Sequence, residues 1–328
     1  MFRVEQVLVP LDFSSHSQAA FSFVRSLPSP VPGIEGPEIQ LVHALRPMPD
    51  YMREILYPYA ALGEDDRELE AEMLERLERR FFSFFGIDGK TEKQFQNHPD
   101  FKFGHPRELL PEWAGKYAAD LVVLGAFGEG GSFVGGLGST TRRFLERATT
   151  PVMVVRDFER VPKVKKILVA TDLDRIAPEV IEKALGFALQ LGAKLELLFV
   201  LPSPVGEDLH GLLRRQIKVK TGELLQKSQS TIDALFDRAV EQVDVPFSLK
   251  EECESLLKER QVLCGQPVKM ILEAAHKSDA DLIVVGSTRR LKGAKRALGQ
   301  VAEAILADGS SHVLVVPPLR TKSLLVEE

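Results

Sequence analysis

Gly125-Ala126-Phe127-Gly128 is followed by nine residues, Glu129–Leu137, and then by Gly138-Ser139. From Gly128 to Gly138, six of eleven residues are glycine. Without a Cβ, glycine lets backbone N–H groups approach a ligand closely. The segment then enters a helical pattern, Ser139–Ala148, with Phe144, Leu145 and Ala148 on its apolar side. Exposed amides leading into a helix N-terminus attract anions, and phosphate is the natural occupant. Two common phosphate motifs do not fit. No Lys-Ser/Thr follows Gly131-Ser132-Phe133-Val134-Gly135-Gly136, as a P-loop requires. The dinucleotide pattern G-x-G-x-x-G belongs after a first strand, not after a late one. A glycine run can also be no more than a flexible connection.

Asp12 closes the apolar run Val7–Leu11. A carboxylate there either caps the next helix or faces a ligand at the strand end, and it can do both. His43 follows a buried strand and reads as a core or rim residue. The seven histidines contain no H-x-x-x-H pair, so no metal ligand is assigned. Cys253 and Cys264 are too few for a disulfide scaffold or a zinc site. Cys264, just before Gly265, reads as a buried strand residue.

These residues need elements to hold them, and the elements are written twice. Val7-Leu8-Val9-Pro10-Leu11-Asp12 recurs 160 residues later as Ile167-Leu168-Val169-Ala170-Thr171-Asp172. Gly104-His105-Pro106 recurs at 161 as Gly265-Gln266-Pro267, and Lys116–Gly125 recurs at 161 as Lys277–Gly286. Pro151–Val155 is echoed by Ser311–Val316. Near-constant offsets indicate a tandem duplication, with units at 1–158 and 163–320 and a linker near Asp157–Lys165. Short apolar runs (Gln6–Val9, Ile39–Val42, Leu121–Leu124, Val152–Val155) suit strands buried on both faces. Helical patterns alternate with them. Ser14 or Ser15 can cap a helix carrying Ala20, Phe23, Val24 and Leu27. Leu69, Met73, Leu77 and Phe81 step by four, and Pro106 suits a first helical turn. In the second unit Pro178–Leu191, Leu212–Ala239 and Pro267–Ala275 repeat this. The expected fold class is α/β, with parallel sheets wound by right-handed crossovers. The final strands, Val152–Val155 and Val313–Val316, are apolar and β-branched; wherever such strands stand at a sheet edge they would pair across a pseudo-twofold axis, since an uncovered apolar edge is a hazard.

The 328 residues carry 44% hydrophobic and 27% charged side chains, as globular proteins do. With 42 Lys+Arg against 47 Asp+Glu, no large positive field is available for nucleic acid. No apolar run approaches the ~18 residues of a membrane span, and the first residues lack a secretory pattern. The expectation is a cytoplasmic protein without membrane or nucleic-acid partners.

The spacing G-x2-G-x9-G-[ST], the Asp after the first strand, the G-x-P before a helix and the D-L-[VI]-V-[LV]-G of the fourth strand together resemble the universal stress protein family, in its ATP-binding branch. The resemblance covers both units. It implies two tandem five-stranded parallel-sheet, Rossmann-like domains of the adenine nucleotide alpha hydrolase type, forming a pseudo-dimer. It implies ATP across the strand ends, often with a divalent cation such as Mg2+ or Mn2+. On that basis Asp12 faces adenine or ribose and Val42 offers backbone contact to the base. Gly125, Gly128, Gly138 and Ser139 hold the phosphates, with Thr140 assisting. Pro10, Leu11, Leu124 and Phe127 complete the implied cofactor-binding set.

The second unit departs from this pattern. It reads Gly286-Ser287-Thr288-Arg289, nine residues, then Gly299-Gln300. Arg289 replaces the second glycine and Gln300 the final Ser/Thr, and five of the eight residues Arg289–Arg296 are basic. An Arg side chain would enter the space a phosphate needs, although the basic run could still attract an anion. Asp172 is retained. Three functions follow as alternatives: an ATP-binding stress or regulatory protein acting through conformation or a protein partner, a slow ATPase or nucleotidyl-transfer enzyme, or a ligand-free interaction module. Between Gly125 and Thr141 there is no Lys or Arg, and Glu129 is the only acid. Fast phosphoryl transfer normally needs a charge clamp, so binding without rapid turnover is expected, with Arg142 and Arg143 the nearest cations. Oligomeric state beyond the internal pairing is left open, homodimerisation included.

Overall fold

Runs of alternating aliphatic residues with no charge make strands that must be covered on both sides. In the computed structural model they form one ten-stranded sheet. The structure describes residues 3–29, 36–45, 66–86, 99–128, 136–156, 163–173, 176–202, 211–242, 253, 255–287, 298–308 and 310–318, with backbone alone over 66–74 and 211–221 and at 239, 242 and 258.

The first half contains β1 (Gln6–Pro10), α1 (Ser15–Arg25), β2 (Glu38–Leu45), α2 (Asp66–Phe85), β3 (Asp100–Phe103), α3 (Pro106–Lys116), β4 (Leu121–Gly125), α4 (Ser139–Leu145) and β5 (Val152–Val155). The second contains β6 (Lys166–Thr171), α5 (Ala177–Leu191), β7 (Lys194–Pro202), α6 (Gly211–Gln242), β8 (Leu257–Gly265), α7 (Pro267–Ser278), β9 (Leu282–Gly286), α8 (Gln300–Asp308) and β10 (His312–Val316). Strand order is β3-β2-β1-β4-β5-β10-β9-β6-β7-β8. Among the described residues every pairing within a half is parallel, and the single antiparallel pairing joins β5 to β10. The pairing of the two final strands expected from their apolar edges is therefore present.

Side chains alternate between two cores. Val7, Val9, Val123, Met153 and Val155 pack with Phe21 and Phe23 of α1 and Phe81 of α2. Leu8, Val122, Leu124, Val152 and Val154 pack with Leu110 and Trp113 of α3 and Phe144 of α4. Each core continues into the second half, to Phe187 and Phe236 on one side and Ile271 and Ile305 on the other. At the outer edge of the first half, Asp100 fixes β3 to α3. The Trp113 indole, the Tyr117 hydroxyl and Lys116 each donate to Oδ2 at 2.8 Å. Burial acts to raise the Asp100 pKa, but these donors outweigh it and hold the carboxyl below its ordinary value.

Cys264 corrects an expectation. It lies in a strand but is exposed, whereas Cys253 is buried. Its strand, β8, is the outer edge of the sheet and has a neighbour on one side only. Residues 157–162 of the expected linker lie outside the described residues.

Candidate functional site at the first switch in strand order

In the first half the chain winds outward to opposite sides from β1 and β4, which leaves a crevice at their carboxyl ends. A cleft of about 960 Å3 opens there. Pro10, Leu11, Asp12, Val42, Leu124, Gly125, Phe127, Gly128, Gly138, Ser139 and Thr140 all line it. Separate stretches of sequence thus converge on one space.

Asp12 does not cap α1; Ser14 does, accepting from the Ser17 N–H at 3.1 Å. Asp12 Oδ1 accepts from the Ser14 N–H at 3.2 Å and from the Ser14 hydroxyl. That bonding orients the carboxylate so that Oδ2 faces Gly128, where a Cβ would stand 2.5 Å from it. Glycine is required here by close approach. Gly125 is confined by backbone, since a Cβ would meet the His16 carbonyl carbon at 2.7 Å and its oxygen at 2.8 Å.

The glycine segment is closed at its neck. The Gly138 N–H donates to the Ala126 carbonyl at 2.8 Å, and the Thr141 hydroxyl to the Gly125 carbonyl at 2.9 Å. The start of α4 stands beside the cleft, where Ser139 and Thr140 line it. Residues 129–135, Glu129 among them, lie outside the described residues.

The wall of the cleft at the ends of β1 and β2 is aromatic. Phe13 meets His43 edge-on at 5.4 Å, and Arg80 of α2 lies over the Phe13 ring at 4.5 Å. His43 is a rim residue, with Nδ1 2.6 Å from the Leu11 carbonyl. The Val42 carbonyl accepts from the Leu11 N–H at 2.9 Å, joining the ends of β1 and β2. Phe13, His43 and Arg80 all line the cleft, yet sequence reading does not place Phe13 or Arg80 there. Arg80 comes from a helix far along the chain, and only its place one residue before Phe81 on a core-facing helix hints at the position. Beneath the glycine neck His16 is buried and meets Phe127 edge-on at 5.2 Å. Burial lowers its pKa, with Asp12 opposing and Arg156 assisting, so the imidazole is neutral at pH 7.

Arg142 also lines the cleft. It pairs with Glu303 of α8, in the other half, and lies 3.8 Å from Glu146. At its retained glycine the second half is packed closely, as the first half is at Gly125. A Cβ on Gly286 would stand 2.3 Å from Ile176 Cδ1 and 3.2 Å from Val180 Cγ2. Asp172 is exposed, and Arg289–Arg296 lie outside the described residues. Among the described residues no group of three or more His, Cys, Asp or Glu could hold a metal ion, and no helix is long and apolar enough to cross a membrane.

Comparison with known proteins agrees with this architecture. A universal stress protein of Thermus aquaticus is 25% identical over 150 residues, covering 46% of this chain and 97% of that protein. One from Methanocaldococcus jannaschii is 29% identical over 157 residues, covering 46% and 81%. The crystal structure of a universal stress protein from Archaeoglobus fulgidus superposes with a TM-score of 0.62 at 18% identity, covering 96% of this chain and 99% of that one. The family described as the Universal stress protein family matches residues 3–156 and again 163–317. The chain is a tandem member of the universal stress protein family.

Proposed function

We propose that the first half binds an adenine nucleotide, ATP, and that the protein works in stress response or regulation through nucleotide-dependent conformation or partner binding. The observation that carries this reading is convergence: a neck of glycines that tolerate no Cβ, an oriented Asp12 carboxylate and an aromatic wall border one cleft. In this reading Asp12 accepts from the ribose hydroxyls, and the base lies against Val42 and the Phe13–His43 wall. The phosphates meet the amides of Gly128, Ser139 and Thr140, since the Ala126 and Gly138 N–H groups are already given to the Val155 and Ala126 carbonyls, with the Ser139 hydroxyl as a further donor. Any divalent cation arrives with the phosphates.

The output is binding rather than rapid turnover. Amide dipoles and hydroxyls bind ground and transition states about equally, which does not raise the chemical rate, and Arg142, the cation beside them, is already engaged by Glu303 and Glu146. The second half completes the scaffold without a matching site. Mass spectrometry of nucleotide carried through purification, followed by titration calorimetry, tests the reading. One tight ATP site per chain is expected. Two equal sites refute the asymmetry, and no adenine nucleotide binding refutes the reading.

A further inference from the structure

The duplication supplies a symmetry operation that can be checked against contacts. A residue meeting its own counterpart lies on the pseudo-twofold axis. Met153 stands opposite Leu314 in the seam between β5 and β10, and the two are 161 residues apart, the duplication offset. Arg142 and Glu303 are also 161 residues apart and are in contact. The axis therefore passes between the central seam strands and between α4 and α8.

At the strand pair, apolar meets apolar. At the helix pair, the charge is inverted between the copies. Two first halves joined through this surface would set Arg142 against Arg142, and two second halves would set Glu303 against Glu303. The strands themselves do not discriminate, since both are short and aliphatic.

A second contact repeats the pattern independently. The Arg156 N–H donates to His312 Nδ1 at 3.2 Å across the seam. The counterpart of Arg156 is Pro317, which has no N–H, and the counterpart of His312 is Pro151, which has no side-chain acceptor. Only the pairing of unlike halves makes this bond, and only on one side. Gln190 adds a third contact between the halves: its Oε1 accepts from the Val4 N–H at 3.1 Å and its Nε2 donates to the Pro28 carbonyl at 2.9 Å.

We propose that this interface is selective for the unlike half. The β5–α4 surface recognises the β10–α8 surface through the Arg142–Glu303 inversion and the His312–Arg156 contact, and rejects another copy of itself. Selectivity of this kind is a difference between two pairings, so a repulsive arrangement in the wrong one counts as much as attraction in the right one.

The full-length chain tests this with four proteins: wild type, Arg142→Glu, Glu303→Arg and the double exchange. The two side chains are 54% and 42% exposed, so the effect is modest. Each single reversal should lower Tm by roughly 1–2 °C at low salt. The double exchange should recover the part of the loss that is due to Glu303, though not the part due to Glu146, which Arg142 also faces, and the losses should shrink in about 1 M salt. Single reversals that melt like wild type, or a double exchange that recovers nothing, overturn the proposal. A second measurement reads pairing directly. With Cys264→Ser in the background, Met153→Cys should yield no disulfide-linked dimer on oxidation. Met153→Cys with Leu314→Cys should yield an internal crosslink. A disulfide joining two chains of the Met153→Cys variant through the introduced thiols overturns the proposal.

Discussion

Gly128→Ala separates the ligand site from the fold. The added Cβ would stand 2.5 Å from Asp12 Oδ2 and 3.7 Å from its Cγ. A carbon-to-oxygen contact needs about 3.2 Å, so the carboxylate must turn or retreat by several tenths of an ångström. Turning it breaks the bonds that Oδ1 accepts from Ser14. The carboxylate then no longer presents Oδ2 to a ribose, and a hydrogen bond to a charged group is worth about 1.5–3 kcal/mol. At about 1.4 kcal/mol per decade, ATP should bind about 10–100-fold more weakly. The fold should lose little, because the neighbour is a side chain at a cleft and Ser14 still caps α1. Gly125→Ala is the contrast. Its Cβ meets backbone of His16, which cannot rotate away, so this variant should lose stability by about 1–3 kcal/mol. Calorimetric ATP titration beside thermal unfolding of both variants reads the difference. Wild-type ATP affinity in folded Gly128→Ala would refute the reasoning, as would equal melting losses in the two variants.

Val154→Lys and Val315→Lys each place an ammonium in the buried seam; both should loosen the halves or cause aggregation, seen by light scattering, whereas wild-type halves that tumble independently in X-ray scattering would contradict the seam itself. Asp100 contributes stability that is complete above the unfolded carboxyl pKa near 3.8 and is lost as pH falls through its lower folded value. Asp100→Asn should therefore cost about 1 kcal/mol near neutral pH and flatten the acid limb of a Tm-against-pH curve; an unchanged limb would sink this assignment. ATP hydrolysis should stay far below about 1 per second in a single-turnover assay with magnesium; loss of bound ATP within seconds, abolished by Glu129→Gln, would make the protein an enzyme.

The halves, the parallel winding and the glycine neck were legible because each leaves a local signature. Aliphatic runs mark strands buried on both faces, and an offset near 161 marks the duplication. The spacing of Gly125, Gly128, Gly138 and Ser139 marks a closed loop feeding a helix. β3 and β8 carried no such signature. As edge strands they have one neighbour, so charged residues such as Lys102 and Arg260 are tolerated there and blur the pattern. Cys264 was misplaced for the same reason. Arg80 and Phe13 join the cleft through contacts distant in sequence, which no local period encodes. The Ser14 cap was readable from residue type. The bonding of Asp12 to Ser14 depends on a turn that residue types alone leave open.

The seam has a thermodynamic consequence. β5 and β10 each have a parallel neighbour in their own half and share an antiparallel one across the axis, so neither half can open without baring an apolar edge of the other. The ten strands should therefore melt as one cooperative unit. A ligand that binds the native first half at about 100 times its Kd adds about 2.7 kcal/mol to that unit. Amides in β6 and β9, remote from the cleft and in the opposite half, should then exchange hydrogen more slowly when ATP is present. The second half becomes a reporter of occupancy in the first.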